Sequence, residues 1–128
     1  EAVDSLKDQK FEGEGMYKNA MMEYVEALTF HTFLDEDRLI TQEECGVADE
    51  YYLLGIMDVP GEIFRYAINS SIKEDYETPK GCKEFLDRLY GEMLKFEFRN
   101  SELRRKFDSI KYNLQKLENT ILDLKIRG

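Results

Sequence analysis

The sequence predicts an all-α fold, and two observations support that prediction. Four long segments repeat apolar residues at the three-and-four spacing of a helix, and no stretch of five or more residues alternates with the period of a strand. The length of 128 residues is that of one domain with a sizeable core. We therefore expect a single helical domain over residues 1–128. Residues 1–14 are candidates for a tail or loop.

The first two predicted helices occupy the first half of the chain. One spans about residues 16–34, and its apolar side chains cover nearly the full circle, which is typical of a helix surrounded by protein. The second spans about residues 48–70 and is interrupted at Pro60-Gly61, because proline removes a backbone donor and can kink a helix.

The last two predicted helices occupy the second half. A third helix begins at Thr78-Pro79, because threonine is a favoured N-cap and proline a favoured first helical residue. Its expected core positions are Cys82, Phe85, Leu86, Leu89, Met93 and Phe96. A fourth helix runs from about Ser101 to Gly128 and carries a heptad seam at Leu103, Phe107, Ile110, Leu114, Leu117, Ile121 and Leu124. That seam packs lengthwise against another helix, either within the chain or from a second subunit.

Composition argues against several classes of protein. No apolar run reaches about 18 residues and no secretory segment stands at the start, so we expect no membrane role. Cys45 and Cys82 are far apart, with neither CxxC spacing nor a nearby histidine pair. This spacing argues against a zinc site and a disulfide framework and fits reduced thiols in a cytoplasmic protein.

The charge is distributed unevenly along the chain. The net charge of -9 would by itself argue against nucleic acid, because an acidic surface repels phosphate. However, residues 1–63 hold 16 acidic and 4 basic side chains (net -12), whereas residues 64–128 hold 11 acidic and 14 basic (net +3). The first half is therefore suited to a metal ion and the second half to a polyanion.

Two acidic pairs are the candidate catalytic and metal-binding residues. Glu23 and Glu26 lie three apart in the first helix, and Asp58 and Glu62 lie four apart in the second, so each pair shares one helix face. If the faces meet, four oxygen donors converge and suit Mg²⁺ or Mn²⁺. Di-iron bundles use Glu-x-x-His motifs, whereas the only histidine, His31, is better interpreted as a core residue. The alternative is that both pairs lie on solvated helix faces.

Basic residues near the start of the fourth helix form the candidate nucleic-acid contact. They are Arg99, Arg104, Arg105, Lys106 and Lys111. Such a cluster neutralises phosphates, although a solvated helix face would have the same pattern. Lys18 is a further candidate for guiding the strand, and Arg65 is either a phosphate contact or the ion-pair partner of the acids.

Three motifs, in order along the chain, resemble the translin/Trax family, which comprises translin and translin-associated factor X. They are YVEALTFHTFLDEDRLITQEE, YYLLGIMDVPGEIFRYAINS and the closing SELRRKFDSIKYNLQKLENTILDLKIRG. The resemblance covers roughly residues 17–128. It implies an antiparallel helical bundle that lacks the family's N-terminal helices. It also implies assembly into a closed oligomer, an octamer in the family, that binds single-stranded RNA or DNA.

The carboxylates fall on the positions that distinguish the two branches of the family. The Trax branch supplies Mg²⁺-dependent ribonuclease activity, whereas the translin branch lacks the acidic set and binds nucleic acid. This chain has Glu23, Glu26, Asp58 and Glu62 at the Trax positions, while its LRRKFDSIKY segment is closer to translin. The mixture implies a homo-oligomer in which one chain does both jobs, with a translin-type partner chain as the alternative.

The resemblance therefore implies an endoribonuclease that cuts single-stranded RNA with Mg²⁺ held by the four carboxylates. Two other interpretations stay open. One is a non-catalytic, translin-like RNA- or DNA-binding shell protein, in which the acids form ion pairs with Arg65 or Lys18. The other is a helical interaction module whose heptad seam binds a partner coiled coil.

Overall fold

A computed structural model describes the backbone of residues 2–98 and 101–127, and the side chains of residues 13–98 and 102–127. Within those ranges the secondary structure is helical, with no strand. The helices are α1 (Ala2–Glu36), α2 (Gln42–Cys45), α3 (Asp49–Ile72), α4 (Glu77–Met93) and α5 (Ser101–Arg127). The predicted all-α class is confirmed.

Two helices are longer or more continuous than the sequence predicted. α1 begins at Ala2, so the backbone of residues 2–14 is helical. These residues had been candidates for a tail or loop. α3 continues through the buried Pro60, so the predicted interruption at Pro60-Gly61 is wrong. The proline removes only its own bond to the carbonyl of Ile56, and packing on both sides of it holds the helix together.

The start of α4 also differs from the prediction. Thr78 lies inside the helix, which begins at Glu77. The cap is supplied by Asp75, whose carboxylate accepts hydrogen bonds from the backbone N–H of Glu77 at 3.2 Å and of Thr78 at 3.1 Å. Aspartate accepts such bonds as readily as threonine, so the helix is capped one turn before the position that the Thr-Pro pair indicated.

The core lies between α3, α4 and α5 and takes in one face of α1. Five of the six predicted α4 positions are buried, namely Cys82, Phe85, Leu86, Leu89 and Met93, whereas Phe96 lies beyond the helix end and is 47% exposed. The α5 seam is buried at Ile110, Leu114 and Leu117 and half-buried at its other four positions. It packs against α3 and α4 of the same chain, as the internal alternative predicted.

α1 is covered on one side only. Large apolar side chains on its other side are exposed, among them Met16 and Leu34, so this chain does not surround the helix as predicted. His31 is also exposed and pairs with Asp35 at 3.0 Å, so its interpretation as a core residue is wrong. The apolar circle of α1 therefore gave no information about which side faces α3.

Contacts between side chains give the helix directions. Tyr17 meets Tyr51 and Phe30 meets Tyr66, so α1 and α3 run in the same direction. Cation contacts place Lys106 on Asp58 and Lys116 over Phe64, so α3 and α5 are parallel as well. α4 runs the opposite way to α5, as shown by the stacking of Tyr90 on Phe107 and by the contact of Lys83 with Glu118.

No helix within residues 2–98 and 101–127 is both long enough and apolar enough to cross a bilayer.

Candidate metal and nucleic-acid site

The close approach of α1 and α3 positions the candidate site. Gly55 is buried against Val25, and a β-carbon added at Gly55 would lie 2.6 Å from the Val25 Cβ and 3.0 Å from the Met22 carbonyl oxygen. Val25 fills the space that a side chain at position 55 would occupy, so the glycine brings the two helices together one turn before Asp58.

The two acidic pairs occupy adjoining faces of these helices. Glu26 and Asp58 are half-buried, whereas Glu23 and Glu62 are exposed. Glu26 follows Val25, so it leaves α1 at the point of closest approach to α3. The inner members of the pairs therefore lie at the helix interface and the outer members at the rim.

Electrostatics couples the four carboxylates. Burial raises the pKa of Glu26 above its ordinary value, and the negative charges of Asp58 and Glu62 raise it further. The Lys106 ammonium acts in the opposite direction, and Glu23 adds a smaller increase to the pKa of Glu26. A carboxyl group responds in this way when like charges lie close to it in a partly desolvated place.

Two cations already pair with the α3 acids. Lys106 of α5 donates a hydrogen bond to the Asp58 carboxylate, and Arg65 donates one to Glu62 within α3. Of the two alternatives for Arg65, the structure has the ion pair. Lys106 was predicted as a phosphate contact, and its pairing with Asp58 was not predicted, because the two residues are 48 positions apart.

The donor set fits Mg²⁺ by its chemistry, since all four groups are carboxylates on two adjoining helix faces. The side chains are not gathered around one point. Within the described part of the chain, no three His, Cys, Asp or Glu side chains are arranged to hold a metal ion. Carboxylates repel one another in the absence of a cation. Here Asp58 is paired with Lys106, and Glu62 is paired with Arg65.

The predicted basic residues differ in their contacts and in their exposure. Lys18 forms a 2.9 Å ion pair with Glu102, an acid of the basic segment that sequence reasoning overlooked. Glu102 could have been found from the sequence, because it lies one turn before Lys106 on the same side of α5. Arg104 lies 3.7 Å from Asp108, Arg105 and Lys111 are exposed, and Arg99 lies outside the described residues.

Two cavities of the chain lie away from the carboxylates. One of about 420 Å³ is lined by Tyr76, Lys80 and the last turns of α5, and another of about 760 Å³ is lined by residues 38–42 and the end of α4. The four carboxylates lie along the groove between the packed helices α1 and α3, where Glu26 and Asp58 are half-buried and Glu23 and Glu62 are exposed.

Comparison with known proteins identifies the family. The profile of the Translin family matches residues 2–128. The chain belongs to the translin family. Translin of Gallus gallus is 28% identical, and the match covers 98% of this chain and 63% of the chicken protein. Human translin is 33% identical over 62% of this chain and 35% of its own. Translin-associated protein X of Rattus norvegicus is 28% identical, covering 94% and 55%.

Two solved structures have the same fold. The apo form of NeC3PO superposes with a TM-score of 0.78 at 38% identity, covering 82% of this translin-family chain and 56% of NeC3PO. AfC3PO in complex with duplex RNA has a TM-score of 0.79 at 22% identity, covering 98% and 69%. The chain spans about a third to just under two thirds of the length of the translin and translin-associated protein X relatives that it matches.

Proposed function

We propose that this protein is a Mg²⁺-dependent endoribonuclease that acts on single-stranded RNA. The proposal is carried by one observation: half-buried carboxylates, Glu26 of α1 and Asp58 of α3, lie beside the contact of Val25 with Gly55 that joins these helices. The charge of Asp58 raises the pKa of Glu26, so bringing these acids together is unfavourable without a cation. A function that requires a divalent cation would explain their placement.

The residues that would hold Mg²⁺ are Glu23, Glu26, Asp58 and Glu62. When bound, the ion would polarise the scissile phosphate and lower the pKa of an attacking water. The chain's own part is to place carboxylate oxygens on both sides of the α1/α3 groove. Arg104, Arg105 and Lys111 are exposed on α5 and would guide the strand by neutralising phosphates.

Nucleic-acid binding is the more general part of the proposal, and it is supported by membership of the translin family. AfC3PO forms a complex with duplex RNA, so duplex RNA belongs among the substrates to compare with single-stranded RNA and DNA. Assembly is also proposed, as a homo-oligomer of up to eight chains or with a translin-type partner. Light scattering of the purified chain, alone and with RNA, measures the subunit count.

A second candidate is a translin-type protein that binds nucleic acid without cutting it. One observation favours it, because Asp58 and Glu62 already carry Lys106 and Arg65 as partners. In this alternative the acids are purely structural. It predicts RNA binding that EDTA does not change and no cleavage at any Mg²⁺ concentration.

The decisive experiment is cleavage of an end-labelled single-stranded RNA, with and without Mg²⁺. We expect Glu26→Gln and Asp58→Asn each to slow cleavage by at least about 10- to 100-fold, the range seen when the surroundings of metal ligands are altered. Glu43→Gln and Asp123→Asn remove the same charges from exposed positions elsewhere and should cut as the parent does. If Glu26→Gln and Asp58→Asn cut as fast as the parent and the controls, the carboxylates are not the active site.

A further inference from the structure

Lys106 is the less exposed of the two cations that pair with the proposed metal ligands. Its ammonium group reaches from α5 to the Asp58 carboxylate on α3, across 48 residues of sequence. Its positive charge also acts on Glu26 of α1, so one side chain serves acids on two helices. A lysine in this place does part of what a divalent ion would do there.

We propose that Lys106 is a built-in competitor of the metal, which neutralises the carboxylate groove before loading and must be displaced from Asp58 when Mg²⁺ binds. The inference rests on the proposed function, because it requires that Asp58 is a metal ligand. It assigns Lys106 a positioning role at the acids in place of the phosphate contact predicted from sequence.

Burial separates this ion pair from the others. The side chains of Lys106 and Asp58 are 23% and 30% exposed, whereas those of Arg65 and Glu62 are 69% and 50% exposed. Water and salt screen an exposed pair, so separating Arg65 from Glu62 costs little free energy. The Lys106 pair is the more shielded of the two, so its displacement has the larger effect on metal affinity.

The chemistry of lysine suits displacement. An ammonium group is a compact point charge on a flexible four-carbon stem, so it can swing away without moving the helix. Glu102 lies four residues earlier on α5, which is the favourable arrangement for an acid and a lysine in one helix. The pKa of Glu102 is lowered mainly by its bond with Lys18 and also by the positive charge of Lys106. The displaced ammonium therefore has a second carboxylate close by.

Charge balance explains why a divalent ion would win. Four carboxylates share the groove, and Lys106 and Arg65 offset only part of their repulsion, since each carries a single charge. Mg²⁺ carries twice that charge and binds several oxygens at once. The competition therefore sets the metal concentration at which the site fills, and it keeps the empty groove from being an uncompensated cluster of acids.

The test is calorimetric titration of Mn²⁺ into the parent and into Lys106→Met, without RNA. We expect Lys106→Met to bind Mn²⁺ at least about fivefold more tightly, the lower end of typical coupling between two sites. Lys106→Arg keeps the competing charge and should bind no more tightly than the parent. Lys125→Met removes one charge from an exposed position near the end of α5 and should match the parent.

The outcomes separate the inference from the proposed function. If the parent binds Mn²⁺ and Lys106→Met is less than about fivefold tighter, the competitor role is wrong and the metal site stands. If neither protein binds Mn²⁺, the proposed metal site fails and the inference with it. Asp58→Asn should lose Mn²⁺ binding in either background, which ties the heat signal to the groove.

A second measurement uses the parent protein alone and does not depend on how a variant folds. Acylation of lysines by an amine-reactive reagent, read by mass spectrometry, reports how accessible each ammonium group is. We expect Mn²⁺ to increase the modification of Lys106 and to leave that of Lys125 unchanged. A Lys106 whose modification is the same or lower with saturating Mn²⁺ has not been displaced, and the inference is then wrong.

Discussion

Gly55 of α3 touches Val25 of α1 so closely that a β-carbon at position 55 would lie 2.6 Å from the Val25 Cβ. Both residues are buried, and the carboxylates Glu26 and Asp58 follow them directly or within one turn. The separation of the two helices, and with it the distance between the acidic pairs, is therefore set by the absence of a side chain at one position.

Gly55→Ala tests this relationship. The added methyl group must push α1 away from α3, so we expect a loss of about 1–3 kcal/mol in the free energy of unfolding, as for other overpacked cores. Mn²⁺ affinity should fall as well, because the acidic pairs move apart. Urea unfolding and calorimetry measure the two effects.

Gly61→Ala is the matched control in the same helix. A β-carbon at Gly61 meets nothing within 4 Å, so alanine should raise the free energy of unfolding by about 0.5–1 kcal/mol through its better helix propensity. If Gly55→Ala is as stable as Gly61→Ala, the close approach of the helices does not depend on Gly55.

Glu44 gives a prediction for pH dependence. Its carboxylate accepts two hydrogen bonds of 2.7 Å from the Arg38 guanidinium and one of 3.1 Å from the backbone N–H of Thr41. These bonds, that of Arg38 first, lower the pKa of Glu44 from 4.5 to about 2. A depressed pKa in the folded state stabilises the protein above pH 4.5, and this stabilisation is lost as the pH falls towards 2.

Glu44→Gln should therefore lower the urea midpoint at pH 7, and the difference from the parent should shrink between about pH 4.5 and pH 2. Glu43→Gln removes a neighbouring charge from the same short helix and should show little difference at either pH. A Glu44→Gln deficit that is the same at pH 7 and pH 3 would contradict the assigned role of the carboxylate.

The exposed cations of α5 give a prediction for RNA binding. If Lys111 contacts a phosphate, Lys111→Gln should weaken binding of all single-stranded RNA sequences to a similar degree. It should also reduce the slope of log affinity against log salt by about 0.7, the counterion release expected for one contact to a single strand. Filter binding across a range of KCl concentrations measures both effects.

Lys80→Gln is the control for that measurement. Lys80 is exposed on α4, near the end of the molecule away from the start of α5, so its loss changes the net charge without removing the proposed contact. Equal slopes for the Lys111 and Lys80 variants would mean that α5 does not track the strand.

Local periodicity made much of the fold predictable. The buried face of α4 from Cys82 to Met93 and the seam of α5 follow directly from the three-and-four spacing of apolar residues. Predictions failed at Thr78 and Phe96 because the ends of a helix depend on which nearby group supplies the cap. They failed for α1 because an apolar circle does not say which side another helix covers.

The sequence by itself determined the class of the fold and the spacing of the acidic pairs, since both follow from the 3.6-residue period of a helix. It placed Glu23 with Glu26 and Asp58 with Glu62. Only the tertiary structure decided that α3 packs against α1 at Gly55 and Val25 and that Lys106 is the cation on Asp58. Those pairings join residues far apart in the chain, so they depend on how α1, α3 and α5 pack together.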